Sequence, residues 1–140
     1  MTLLAESREV VRLEVPGRPV PLARPRVTGR GTYLPARSRE FRERCRVAWL
    51  EAGRPMFEGH VQLAAVFRYE RPRAHYRGGR VRPDAPPFPG RADLDNLVKA
   101  VLDALQGCLF TDDALVVSLA AVKVWGDPPG TVVTVRRVGG

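Results

Sequence analysis

Six apolar residues, Leu94, Leu97, Val98, Val101, Leu102 and Leu105, recur at the spacing of one face of an α-helix. Such a face must be covered by a sheet or another helix, so it constrains the fold more than any other stretch of the chain. Acids stand at both of its ends. Asp93 and Asp95 lie where the helix should begin, and Asp112 and Asp113 follow Gly107, the expected stop. Two residues apart is not a same-face helical spacing, so Asp93 and Asp95 converge only if at least one precedes the helix. Asp95 is then the N-cap candidate, and Lys99, four residues on, sits near the same edge. A helix of about 12 residues is roughly 18 Å long. The loop from Gly107 to Asp112 can span a similar distance when extended, which leaves convergence of the two acid pairs within one chain open.

The surroundings of these acids are cationic. The 140-residue chain has a formal net charge of +8 at pH 7. A basic protein attracts polyanions, and carboxylates beside phosphate are costly unless a cation neutralises them. Mg²⁺, with Mn²⁺ as a substitute, resolves that conflict through hard oxygen ligands. The combination points to a metal-dependent enzyme acting on nucleic acid. Each residue also has a plainer role: an Asp before a helix caps it, Asp-Asp before a strand makes a turn, and a lysine sits on a surface. Lys99 and Lys123 are the only lysines among many arginines. Codon composition can produce such a bias, so the arginine excess does not by itself establish phosphate recognition.

The rest of the chain supplies an α+β frame. Val11, Leu13 and Val15 alternate in a first strand over 9–15, which Pro16 and Gly17 end. Residues 16–37 are rich in Pro, Gly and Arg and read as a loop in which Arg24 and Arg26 are candidate phosphate contacts. A helix is expected from Ser38 as N-cap to Ala52, stopped by Gly53, with Phe41, Cys45, Ala48 and Trp49 on one face. Val61, Leu63, Ala65, Phe67 and Tyr69 alternate in a second strand. Residues 70–91 are again dominated by Pro, Gly and Arg, and their composition predicts a mobile loop. The 94–105 helix follows, then strands over 115–124 and 131–138, expected to form an antiparallel hairpin across Asp127–Gly130. The order β-α-β-α-β-β predicts one domain over 1–140, two-layered, with helices packed on a mixed four-stranded sheet.

Several classes are set aside. Cys45 and Cys108 have no metal-binding or paired spacing and read as free thiols, buried or half-buried. His60 and His75 are isolated and receive no catalytic role. No apolar run approaches the roughly 20 residues needed to cross a bilayer. The N-terminal sequence lacks the features of a secretion signal, so a cytoplasmic protein is expected.

The acid stretch also carries a resemblance. Asp93-Leu94-Asp95-Asn96-Leu97, Lys99, Asp103-Ala104-Leu105, then Asp112-Asp113-Ala114 with Val116 and Val117, resembles the signature of the RusA family of Holliday junction resolvases. The Pro16–Arg26 segment is similar to the N-terminal region of its members, and the order of elements agrees with that family's small α+β fold. The 70–90 loop has no counterpart that aligns. The resemblance implies a Mg²⁺-dependent homodimer that resolves four-way DNA junctions by paired symmetric nicks, in recombination and repair. It carries the essential aspartates onto Asp93, Asp95 and Asp113, and the functional lysine onto Lys99. Asp112 is implied as a further ligand or a structural partner; of the two, Asp113 is favoured for the metal. Lys99, Arg24, Arg26 and Arg91 are the expected contacts to DNA. The 71–91 arginines, with Tyr76 and Phe88 among them, either order on DNA or stay solvated.

Two other readings compete. One is a Mg²⁺ nuclease for other branched DNA or for RNA. The other is a non-catalytic, structure-specific DNA-binding protein whose acids are only caps and turns. Cleavage of four-way junction, fork, duplex and RNA with Mg²⁺ or with EDTA separates all three.

Overall fold

The computed structural model describes residues 10–24 and 26–139, Arg26 by its backbone alone. It is α+β: two long helices pack on a mixed four-stranded sheet. The main strands are β1 (Val10–Pro16), β4 (Val61–Tyr69), β7 (Val116–Trp125) and β8 (Gly130–Arg137). Two short hairpins decorate the loops: β2 (Arg26–Thr28) with β3 (Gly31–Tyr33), and β5 (Tyr76–Arg77) with β6 (Arg80–Val81). The helices are α1 (Ala36–Glu51) and α2 (Leu94–Leu105). Among the described residues, no helix is long and apolar enough to cross a membrane.

The alternation expected of β4 is realised, with Val61, Leu63, Ala65, Phe67 and Tyr69 all buried. Leu97, Val101 and Leu105 of α2 are fully buried against that face, and Phe41, Cys45 and Ala48 of α1 join the same core. Burying side chains of this size is worth about 1.5–3 kcal/mol each. Burial pushes the Cys45 thiol up to about 12, despite the nearby Arg44 and Arg46. Both cysteines are free, with Cys45 buried and Cys108 half-buried.

The sheet order is β1-β8-β4-β7, which corrects the expected β7–β8 hairpin. β4 lies between them, parallel to β7 and antiparallel to β8. The reason is that α2 makes a crossover from β4, and the next strand of such a unit lands beside β4 in parallel. The 126–129 loop must then cross the end of β4 to bring β8 to its other side. There the Gly126 amide donates to the Tyr69 carbonyl, and the Arg68 guanidinium donates to the Pro128 carbonyl. A Cβ on Gly126 would lie 2.5 Å from the Arg68 side chain, so a larger residue here would have to displace Arg68. β8 takes the central position, with Thr131, Val132, Val133 and Val135 buried. β7 is an edge strand although mostly apolar: Val117, Leu119 and Val122 are 55%, 50% and 39% exposed.

Helix ends differ from expectation in detail. α1 begins at Ala36, two residues before the proposed cap; Ser38 is buried inside it and accepts from the Ala23 amide at 3.4 Å. That bond ties the proline-rich segment to the helix. The C-terminal stop is as read: Gly53, at φ +92, donates to the Leu50 carbonyl and Arg54 donates to Trp49. Residues 71–91 carry more structure than their composition suggests. His75 packs edge-on against Trp125 at 5.3 Å, and the Arg82 amide donates to the His75 carbonyl at 2.8 Å. Arg71 lies over the Trp125 ring and donates to the Pro86 carbonyl, which also accepts from the Trp125 indole.

Candidate active site

The N-cap of α2 is Asp93, not Asp95. Asp93 has extended backbone angles, φ −71 and ψ 130, and its carbonyl accepts from the Leu97 amide. Its side chain, however, makes no capping hydrogen bond. An aspartate in the cap position that leaves its carboxylate unused is poorly explained by the plainer reading, because capping is what favours Asp there. Asp95 falls in the first helical turn, where the helix dipole favours a negative charge. Both carboxylates are exposed. Lys99 is exposed one turn on from Asp95, and Asp103 follows one turn beyond that. Asp103 is occupied by Arg42 of α1, which donates to it at 2.6 Å, so the bond joins the two helices.

Two contacts fix the position of this end. Lys123, near the C-terminal end of β7, donates to the Ala92 carbonyl at 2.7 Å, one residue before Asp93. The Leu22 amide donates to the Asn96 carbonyl at 3.0 Å, bringing the segment that carries Arg24 beside the first turn of α2. Arg24 is exposed, and the side chain of Arg26 lies outside the described residues. Arg91 is exposed two residues before Asp93.

The second acid pair lies at the other end of β7. Asp112 caps a short 3₁₀ turn, Asp113–Leu115, by accepting from the Ala114 amide at 2.9 Å. Asp113 makes no such bond and is exposed. The two pairs are far apart. The strand from Val116 to Lys123 rises by roughly 23 Å at about 3.3 Å per residue, and Lys123 is the residue bonded beside Asp93. Among the described residues, no group of three or more His, Cys, Asp or Glu side chains is close enough to hold a metal ion. The acids thus have the donor chemistry of a Mg²⁺ site, but one chain does not gather them.

Lys123 is a positioning residue that the sequence reading passed over. Its signal was present: it breaks the apolar run of β7 and is one of only two lysines. The groove beside this end, walled by Arg18, Arg71, Phe88, Arg91 and Trp125, was not legible, because its parts lie up to about a hundred residues apart.

The chain is 28% identical over 144 residues to the uncharacterized protein YqaN of Bacillus subtilis (strain 168), covering 93% of this chain and 98% of that protein. The Endodeoxyribonuclease RusA family matches residues 16–136, which take in both helices, β4, β7, all but the last residue of β8 and both acid pairs, and begin at the end of β1. On that match, this chain belongs to the RusA endodeoxyribonuclease family.

Proposed function

We propose that the protein is a Mg²⁺-dependent, structure-specific endodeoxyribonuclease that resolves four-way DNA junctions as a homodimer, by paired nicks. The observation that carries the nuclease reading is the pair of exposed carboxylates at the head of α2, with Asp93 in the cap position yet not capping. Family membership supports action on branched DNA. Arg91 and Lys99 adjoin the pair along the chain, the Leu22–Asn96 bond brings the segment of Arg24 to the same helix turn, and the three are proposed to hold the phosphates on either side of the cut. Lys99 is proposed to steady charge on the scissile phosphate as a compact cation. Of the second pair, Asp113 is the proposed ligand, since Asp112 spends an oxygen on the Ala114 amide.

The separation of the acids supports a composite site in which each cluster draws Asp93 and Asp95 from one copy and Asp113 from the other. β7 offers the surface for this. It is an edge strand with exposed apolar side chains, and monomeric proteins blunt such edges with charge or proline. Antiparallel pairing of two β7 edges would bring the Asp113 end of one strand toward the Lys123–Asp93 end of its partner. The contact is closed and two-fold, as is the substrate's approximate symmetry. When bound there, Mg²⁺ would supply an activated water and neutralise phosphate charge.

The test is cleavage of a synthetic four-way junction, with fork, duplex and RNA as comparison substrates, in Mg²⁺ and in EDTA. Paired nicks on the junction that require Mg²⁺ support the proposal. Tight junction binding without any nick in Mg²⁺ would instead favour a non-catalytic binding protein.

A further inference from the structure

We infer that the groove beside the Asp93 end is a binding site for an unpaired DNA strand, with a base stacked on Phe88 and phosphates held by Arg37, Arg73 and Arg91. The inference rests on the nucleic-acid reading above and adds the form of nucleic acid that this site takes. The groove has a volume of about 1120 Å³ and opens between three stretches of chain: residues 18–21, 70–75 and 86–92. Its base is formed by Tyr69 and Trp125, the last residues of β4 and β7.

The chemistry of its walls selects the ligand. Five arginines line the groove against one acid, Glu70, so it suits a polyanion. Two of the five are engaged: Arg18 lies over the Tyr69 ring at 5.6 Å and Arg71 over Trp125 at 5.0 Å. Arg37, Arg73 and Arg91 are exposed and make no side-chain hydrogen bond or ion pair among the described residues. The remaining wall is largely proline and aromatic, and Phe88 is 57% exposed. A duplex turns phosphates outward and keeps its base faces stacked inside, so it offers nothing to an apolar wall. An unpaired strand presents base faces and phosphates together, and aromatic platforms with a cationic rim are the general solution for it.

The groove is also placed to matter. Arg91 and Ala92 line it and lead directly into Asp93, and Lys123 holds the Ala92 carbonyl. A strand lying in the groove is therefore delivered to the head of α2. A branch point supplies such a strand wherever pairing opens.

The test measures binding in EDTA, so that no cleavage occurs. Fluorescence anisotropy is recorded with a labelled oligo-dT and with a blunt duplex of equal length, for wild type, Phe88→Ala, Phe88→Trp and Arg73→Ala. Phe88→Ala should weaken oligo-dT binding by about tenfold or more and leave duplex binding nearly unchanged, while Phe88→Trp retains affinity. Arg73→Ala should lower the slope of log affinity against log salt by about 0.7 for the single strand. Phe88 is exposed, so its loss does not threaten the fold. Equal losses on single strand and duplex, or no loss from Phe88→Ala, would overturn the groove. If wild type still nicks a junction in Mg²⁺ under that result, the nuclease reading stands and only the groove falls. If wild type binds neither oligonucleotide nor junction, both fall.

Discussion

The two ends of β7 carry acids of the same type in opposite settings. At the C-terminal end, Asp93 and Asp95 stand exposed on a helix head that Lys123 and the Leu22 amide hold in place. Arginines and an open groove surround it. At the N-terminal end, Asp112 is tied into a turn and Asp113 stands alone. The first end has what is needed to bind and orient a phosphate but, among the described residues, gathers no third carboxylate close enough to share a metal with its pair. The second has an exposed carboxylate, that of Asp113, and likewise gathers no third acid among the described residues. Neither is a complete site, and the strand between them is an edge whose outer side pairs with no strand among the described residues. The contrast teaches that acids grouped in sequence need not be grouped in the fold.

The largest expected effect comes from the carboxylates. Asp93→Asn, Asp95→Asn and Asp113→Asn should each lower junction cleavage on the order of a thousandfold, because ligand loss removes several kcal/mol of charge stabilisation. Junction binding should hold or tighten, since each change removes negative charge near phosphate. Asp112→Asn should be much milder, because the amide oxygen can still accept from Ala114. Equal loss at Asp112 and Asp113 would remove the distinction drawn between them.

Charge on the edge comes next. Leu119→Lys, on the exposed apolar strand, should convert the proposed dimer to a monomer of 15.5 kDa by light scattering and abolish cleavage with it. A Leu119→Lys protein that remains dimeric would move the interface elsewhere. Lys99→Ala should then cost about a hundredfold in rate, with a much smaller loss of binding. Lys99→Arg should restore the rate only in part. An affinity loss as large as the rate loss would assign Lys99 to DNA binding alone.

The smallest effects are structural. Arg42→Ala breaks a half-exposed ion pair and should destabilise by less than about 1 kcal/mol, once solvent screening is allowed for. By hydrogen exchange, the Arg82 amide, bonded to His75, should be protected, while Gly78 and Gly79 at the hairpin tip exchange freely. Uniformly rapid exchange across 71–90 would show that the contacts around Trp125 do not hold the segment.

Much of the fold was legible because periodicity reports local burial. The α2 face and the β4 alternation follow directly from it. What failed was whatever depends on the neighbour of an element. β7 and β8 read as a hairpin because they are consecutive and apolar, but the α2 crossover decides which strand lies beside β4. Ser38 reads as a cap because its hydroxyl suits one, and that hydroxyl is instead used by Ala23. Asp93 and Asp95 exchange places at the cap because both residues are acceptable there. The carboxylate positions were legible, and their separation was not, since spacing along the chain permits convergence that the sheet does not deliver.

The composite site is tested most directly by mixing two inactive proteins. Asp93→Asn and Asp113→Asn are unfolded and refolded together, and junction nicking is measured in Mg²⁺. In each mixed dimer, one cluster receives both substitutions and the other receives none. The account therefore predicts that nicking returns to about a quarter of the wild-type level, one strand at a time. If mixed dimers form and the mixture stays as inactive as either parent, each subunit holds its own site and the central claim is wrong.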